Sequence, residues 1–166
     1  MLGTLQPTQD GRYLLRFERR FAHPTAKVWR AITDAEQLRA WFPAVVDFDL
    51  APGAKLRFNP TGEQQRRYGI PADQATYGKI LAVDPPILLE YTWGEEILRW
   101  ELTPDGTGGC TLVFTNVFDD RSSAAAAGAG WHAGLDVVEA QLDGRDLDWS
   151  PWDRADQLTP DYAAIM

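Results

Sequence analysis

Residues 118–144 read FDDRSSAAAAGAGWHAGLDVVEAQLDG, and how this stretch folds decides the rest. On a 3.6-residue period Ala124, Ala127, Gly128, Leu135, Val138 and Leu142 fall within roughly 60° of Trp131, which predicts one long helix from Asp119 to Gly144 with a single apolar stripe. Asp119, Asp120, Ser122 and Ser123 offer cap oxygens and negative charge at its start, and Gly144 before Arg145 fits a C-terminal stop. The first half of the stripe is built from Ala and Gly and the second from large residues. A glycine inside a helix costs about 1 kcal/mol relative to alanine. Gly128, Gly130 and Gly134 therefore require either a close backbone approach or space left for a ligand, and both readings stay open. His132 lies about 100° round from Trp131, on a flank shared with Asp136 and Glu139, as a boundary residue or a site residue would.

Working outward, the chain before the helix is mostly period two. Tyr13, Leu15 and Phe17 alternate with Leu14, Arg16 and Glu18 in a first strand that ends at His23 and Pro24. Pro24 and Thr25 open a helix whose buried face is Val28, Trp29 and Ile32; Thr33 and Asp34 end it and cap a second short helix carrying Leu38, Trp41 and Phe42. A hairpin follows, with strands at Val45–Leu50 and Lys55–Asn59 about the turn Pro52–Gly53. Residues 60–73, with Arg66 and Arg67, hold too many breakers for a clear element and read as a solvated loop, long enough to cover an opening. Four more strands are expected at Ala75–Val83, Ile87–Trp93, Ile97–Thr103 and Cys110–Phe118, and short connections make them antiparallel. Leu89, Tyr91 and Trp93, then Leu98, Trp100 and Leu102, then Leu112 and Phe114 share the inward parity, whereas Glu90, Arg99 and Glu101 take the other. The expected fold class is α+β: a curved seven-stranded antiparallel sheet whose apolar face is covered by the long C-terminal helix, with two short helices after strand one.

The chain of 166 residues suits one domain. A net charge of −8 disfavours nucleic acid or membrane insertion at an anionic surface as the main interaction, since both partners require a basic face. Half of that excess lies after residue 142, where six Asp stand against two Arg. One cysteine, Cys110, excludes an internal disulfide or a multi-cysteine metal site and reads as a packed thiol. No run approaches a membrane span and no leader pattern opens the chain, so a cytoplasmic location is expected. The two histidines form no metal-binding or nucleophile motif, and neither a catalytic residue, a metal nor a cofactor is expected. Seven Trp and seven Phe suit an aromatic core or a pocket for a flat apolar ligand.

His23, Pro24, Thr25, Val28, Trp29, Thr33, Asp34, Leu38, Trp41 and Phe42 together resemble the opening signature of the START-like superfamily (SRPBCC), in its branch related to the activator of Hsp90 ATPase homologue 1. Pro52–Gly53, Gly78, Val83–Pro86, Leu89, Tyr91, Trp93, Leu102, Gly109–Leu112, Gly130 and Trp131 continue the match over about residues 12–144. The resemblance implies a helix-grip (Bet v 1-like) domain at 12–144 with an internal cavity between sheet and helix, while residues 1–11 read as a polar lead-in and 145–166 as an acidic tail. The polar loop at 60–73 and the tail with Trp149, Pro151 and Trp152 depart from the pattern; the tail could pack on the domain or mediate a homodimer.

The leading functional expectation is a binding protein for a small, mostly hydrophobic ligand held by Trp41, Phe42, Phe58, Tyr77, Tyr91, Trp93, Trp100, Phe114, Trp131, His132 and Leu135, with Tyr and Trp polar tips setting its orientation. A cochaperone-like domain that contacts a chaperone is the second reading. A cyclase-, aromatase- or hydrolase-like enzyme using His132 with Asp136, or the tyrosines, is the third.

Overall fold

The computed structural model describes residues 1–166. Its strands are β1 Thr4–Pro7, β2 Tyr13–Phe21, β3 Lys55–Phe58, β4 Thr76–Asp84, β5 Leu88–Trp93, β6 Glu96–Pro104 and β7 Cys110–Phe118. Its helices are α1 Thr25–Thr33, α2 Ala35–Leu38, α3 Gly62–Tyr68, α4 Ala124–Leu142 and α5 Pro151–Ile165, with a 3-10 turn at Arg121–Ser123 leading into α4. The sheet is antiparallel in the order β1-β2-β7-β6-β5-β4-β3. Its inward face is the expected one. Leu89 and Tyr91, Leu98, Trp100 and Leu102, and Leu112 and Phe114 are buried. Arg99 pairs with Glu90 and Glu101 on the other side. The α4 helix lies across the buried face, with the Trp131 ring 4.7 Å from Phe114, so the α+β helix-grip fold stands.

Local rules account for the element ends. Asp34 caps α2 by accepting from the Gln37 amide at 3.2 Å. The α1 cap position falls on Pro24 and carries no side-chain bond. At the end of α4, Gly144 has φ +68, the Gly144 amide bonds Gln141 O and the Arg145 amide bonds Ala140 O, the left-handed stop expected of that glycine. Its start differs from the expectation of unbroken helix from Asp119: the Asp120 carboxylate takes the Ser122 amide and holds a tighter 3-10 turn first.

Three stretches depart from the sequence expectation. Val45–Leu50 is no strand; only a single bridge joins Val45 to Asn59, although Val46 and Phe48 point into the core as their alternation demands. The seventh strand is instead β1, inside the lead-in, which pairs with β2 from Thr4↔Arg16 to Pro7↔Tyr13. Residues 60–73, read as a loop, contain α3. There Thr61 and Gln64 form a reciprocal capping box, and Gly69 in the left-handed region ends the helix.

The acidic tail forms α5, which packs on α4. Ser150 caps it and Pro151 opens it. Tyr162 is fully buried, and the ring fills the slot left by Gly128: a Cβ on residue 128 would lie 2.7 Å from Tyr162 Cδ1. Gly3 N–H donates to Tyr162 Oη at 2.8 Å, so the phenol can give its own proton to His132 Nδ1, also at 2.8 Å. That leaves the ring proton on Nε2, 3.5 Å from Asp136, whose carboxylate also takes Arg154 Nε at 2.5 Å. His132 is thereby buried, not a boundary residue.

Burial drives the His132 pKa down to about 4; Asp136 opposes this, while Arg19, the N-terminal amine and Arg154 reinforce it. The unfolded chain takes up that proton below about pH 6.5 and the native state does not until about pH 4, so His132 costs stability as pH falls between those values. His132→Gln should flatten the pH dependence of urea unfolding in this window by up to about 1.4 kcal/mol per pH unit. An unchanged slope would show that the imidazole is already protonated in the native state.

Candidate functional site

The sheet and α4 part at one end, where the alanine-rich half of α4 faces the strand ends. There a cavity of about 590 Å³ opens between Trp93 of β5, Glu96 and Leu98 of β6, Asn116 of β7, the Arg39–Pro43 segment, the start of α3 and the Pro151–Trp152 end of α5. From α4 it is bordered by Ala126, Ala127, Gly130, Trp131, Ala133 and Gly134. This size lies within the range of roughly 300–1,000 Å³ usual for small-molecule sites.

The three glycines of α4 separate cleanly. Gly128 receives Tyr162. Gly134 receives Trp41, whose Cε3 lies 3.2 Å from where a Cβ would be. Gly130 borders the cavity, and a Cβ there would meet nothing within 4 Å. Close packing and space-making are thus both present on one helix. Gly130→Ala should raise stability by about 0.5–1 kcal/mol, since it adds helix propensity without a clash. Gly128→Ala should lower it by about 1–3 kcal/mol through overpacking against Tyr162. Thermal unfolding of the two variants in parallel checks the pair, and equal shifts would contradict this division.

Of the residues expected to hold a ligand, Trp41, Phe42, Trp93 and Trp131 line the cavity. Phe58, Tyr91, Trp100, Phe114 and Leu135 are fully buried behind them as packed core. Trp100 stacks on Phe114 at 3.9 Å and Phe58 on Trp93 at 4.5 Å. Two of the set lie elsewhere. Tyr77 is 63% exposed on the outer face, because Arg57↔Tyr77 and Phe58↔Thr76 pair in β3 and β4 and Phe58 is the inward member. His132 faces α5 and Tyr162, away from the cavity lining.

The aromatic polar tips are occupied by the protein itself. Trp41 Nε1 donates to Ala31 O, Trp93 Nε1 to Thr76 Oγ1, Trp100 Nε1 to Tyr91 Oη and Trp131 Nε1 to Asn116 Oδ1. They fix rings; they are not free to orient a guest. The polar groups of the site are instead Glu96 and Asn116, with Arg39, Glu63 and Arg66 at the α2 and α3 side. Asn116 Nδ2 donates to Glu96 Oε1 at 3.1 Å, and burial raises the Glu96 pKa above its usual value. The sequence did carry a signal for both. Glu96 shares the parity of Leu98 and Trp100, and Asn116 that of Leu112 and Phe114, so each is a polar residue on an apolar face. No group of three or more His, Cys, Asp or Glu gathers as a metal site would require. Burial raises the pKa of Cys110, at the start of β7, which leaves it a poor nucleophile.

A curved antiparallel sheet gripping a long helix, with a cavity between them, defines a START-like protein. The chain belongs to the family described as Activator of Hsp90 ATPase homolog 1-like protein, whose model matches residues 22–143. Among solved structures, a protein of Bordetella parapertussis (BPP1335) is 26% identical with a TM-score of 0.73, covering 99% of this chain and 91% of its own. The protein MLL2253 of Mesorhizobium loti is 28% identical with a TM-score of 0.62, covering 81% and 99%. CalU16 of Micromonospora echinospora, 21% identical with a TM-score of 0.71 over 98% and 94%, shares the fold. No curated protein matches the chain significantly. No helix is long and apolar enough to cross a membrane.

Proposed function

We propose that the protein binds a small, mostly apolar ligand in the cavity between α4 and the sheet. The observation that carries this reading is the open volume at Gly130. A helix keeps a costly glycine at this exposed position on the cavity edge, no side chain lies within 4 Å of where its Cβ would be, and Phe42, Trp93 and Trp131 line the same cavity. Those rings supply flat apolar area, and the Trp93 and Trp131 N–H groups are already bonded, so entry of an apolar body strands neither donor. The family resemblance, with its internal cavity, supports the same reading.

The test is a panel of naphthalene-, indole- and steroid-sized compounds followed by Trp fluorescence and thermal shift. Saturable binding that raises the melting temperature is expected. Absence of saturable binding across the panel overturns the proposal, and stimulation of an Hsp90 ATPase by the same preparation would then favour the cochaperone reading.

A further inference from the structure

One carboxylate oxygen on the cavity lining has no protein partner. Trp131 can only donate, so its bond to Asn116 turns the amide oxygen toward the indole and the amide nitrogen toward Glu96 Oε1. Asn116 is 2% exposed and Trp131 8%, so the relay is anchored in the core and ends at the half-buried Glu96. The relay occupies Glu96 Oε1 and leaves Oε2 without a hydrogen bond from the protein. Nor does an ion pair reach Glu96. Arg12, whose charge favours the ionised form of Glu96, is committed to Asp119 and to the Glu95 carbonyl. Glu63, the other acid of the lining, is held by both Arg66 and Arg67. Glu96 is therefore the uncompensated acid of an aromatic cavity.

A carboxylate in such a place gains most from a cation. A charge-assisted N–H···O bond is about twice as strong as a neutral one, and aromatic faces attract cations in their own right. A hydroxyl could bond to Oε2 but would leave the negative charge unbalanced, and a carboxylate guest would be repelled.

We propose that the cavity is selective for a protonated amine carried on a flat apolar body, with Glu96 receiving the ammonium group while Phe42, Trp93 and Trp131 hold the body. This rests on the cavity-binding reading above and adds the chemical class of the ligand.

Three probes of one shape separate the two claims: 2-naphthylmethylamine, 2-naphthylmethanol and 2-naphthoate, titrated by calorimetry at pH 7 into wild type, Glu96→Gln and Glu18→Gln. Glu18 lies exposed on β2, so its variant removes one charge from the same acidic chain away from the cavity. The amine should bind wild type about tenfold or more tighter than the alcohol, with naphthoate weakest. Glu96→Gln should remove that preference yet leave alcohol binding within about threefold, which also shows that the variant cavity is intact. Glu18→Gln should behave as wild type. Lowering the pH should erode the amine preference of wild type but not of Glu96→Gln, because protonating Glu96 removes the charge. Binding of all three probes without an amine preference, a preference that survives Glu96→Gln, or tightest binding of naphthoate through exposed Arg39 would overturn the amine assignment and leave the cavity reading standing. Binding of none would overturn both.

Discussion

Trp131→Ala should lower the unfolding free energy by about 3–5 kcal/mol in urea denaturation. The indole is only 8% exposed even though one edge borders the cavity. Its ring packs against Phe114 at 4.7 Å, Phe42 at 5.8 Å and Trp100 at 6.0 Å, so truncation enlarges an existing void instead of letting the core collapse. The Asn116 amide oxygen loses its donor as well, a loss of about 1–3 kcal/mol when nothing replaces it. Trp131→Phe separates the two contributions, because it keeps most of the apolar area and removes only the N–H. It should cost less than half as much. A change under about 1 kcal/mol for Trp131→Ala would mean that the ring faces mainly empty space and that the sheet does not depend on it for a partner.

Tyr162→Ala should cost a similar amount, about 3–5 kcal/mol, although it lies in the acidic tail. The side chain is fully buried between Gly128, Phe17 and His132, and it ties three parts of the chain together through Gly3, His132 and its own helix. Tyr162→Phe should cost about 1–3 kcal/mol, since the Gly3 amide and His132 Nδ1 are then left unpaired. A double-mutant cycle gives the sharper result. Gly128→Ala should be destabilising with Tyr162 present and neutral or stabilising in Tyr162→Ala, because the clash disappears with the ring. Additive effects would show that α5 does not dock on α4 through this slot.

Much of this architecture is legible in the sequence for a physical reason. Strand parity records which side chains meet the core, and in β5, β6 and β7 it marks the inward residues from Leu89 to Phe118, with Glu96 and Asn116 as the polar exceptions. Parity does not record pairing. Val46 and Phe48 alternate correctly and point inward, yet their backbone finds no partner strand, while the short polar β1 pairs fully with β2. Two helix starts carry local signals in polar surroundings: the Thr61…Gln64 capping box of α3 and the Ser150–Pro151 start of α5. Both were masked by polar composition, and the burial of Tyr162 and Trp152's place at the cavity come from tertiary contacts that no local pattern encodes. The candidate site was half legible. Its aromatic members follow from parity, whereas the misplacement of Tyr77 traces to strand register between β3 and β4, set by which neighbour of Phe58 lies across the ladder. Glu96 and Asn116 were readable as polar residues on an inward face but were overshadowed by the aromatics beside them.

The alanine and glycine half of α4 holds the most direct test. Gly130→Phe introduces a ring on the cavity edge at a position where the Cβ itself meets nothing within 4 Å. Calorimetric titration with 2-naphthylmethanol should show saturable one-to-one binding to wild type and at least about a tenfold loss in Gly130→Phe, with cooperative unfolding retained. Equal binding to both proteins, or no binding to either, would contradict the claim that this cavity is the ligand site.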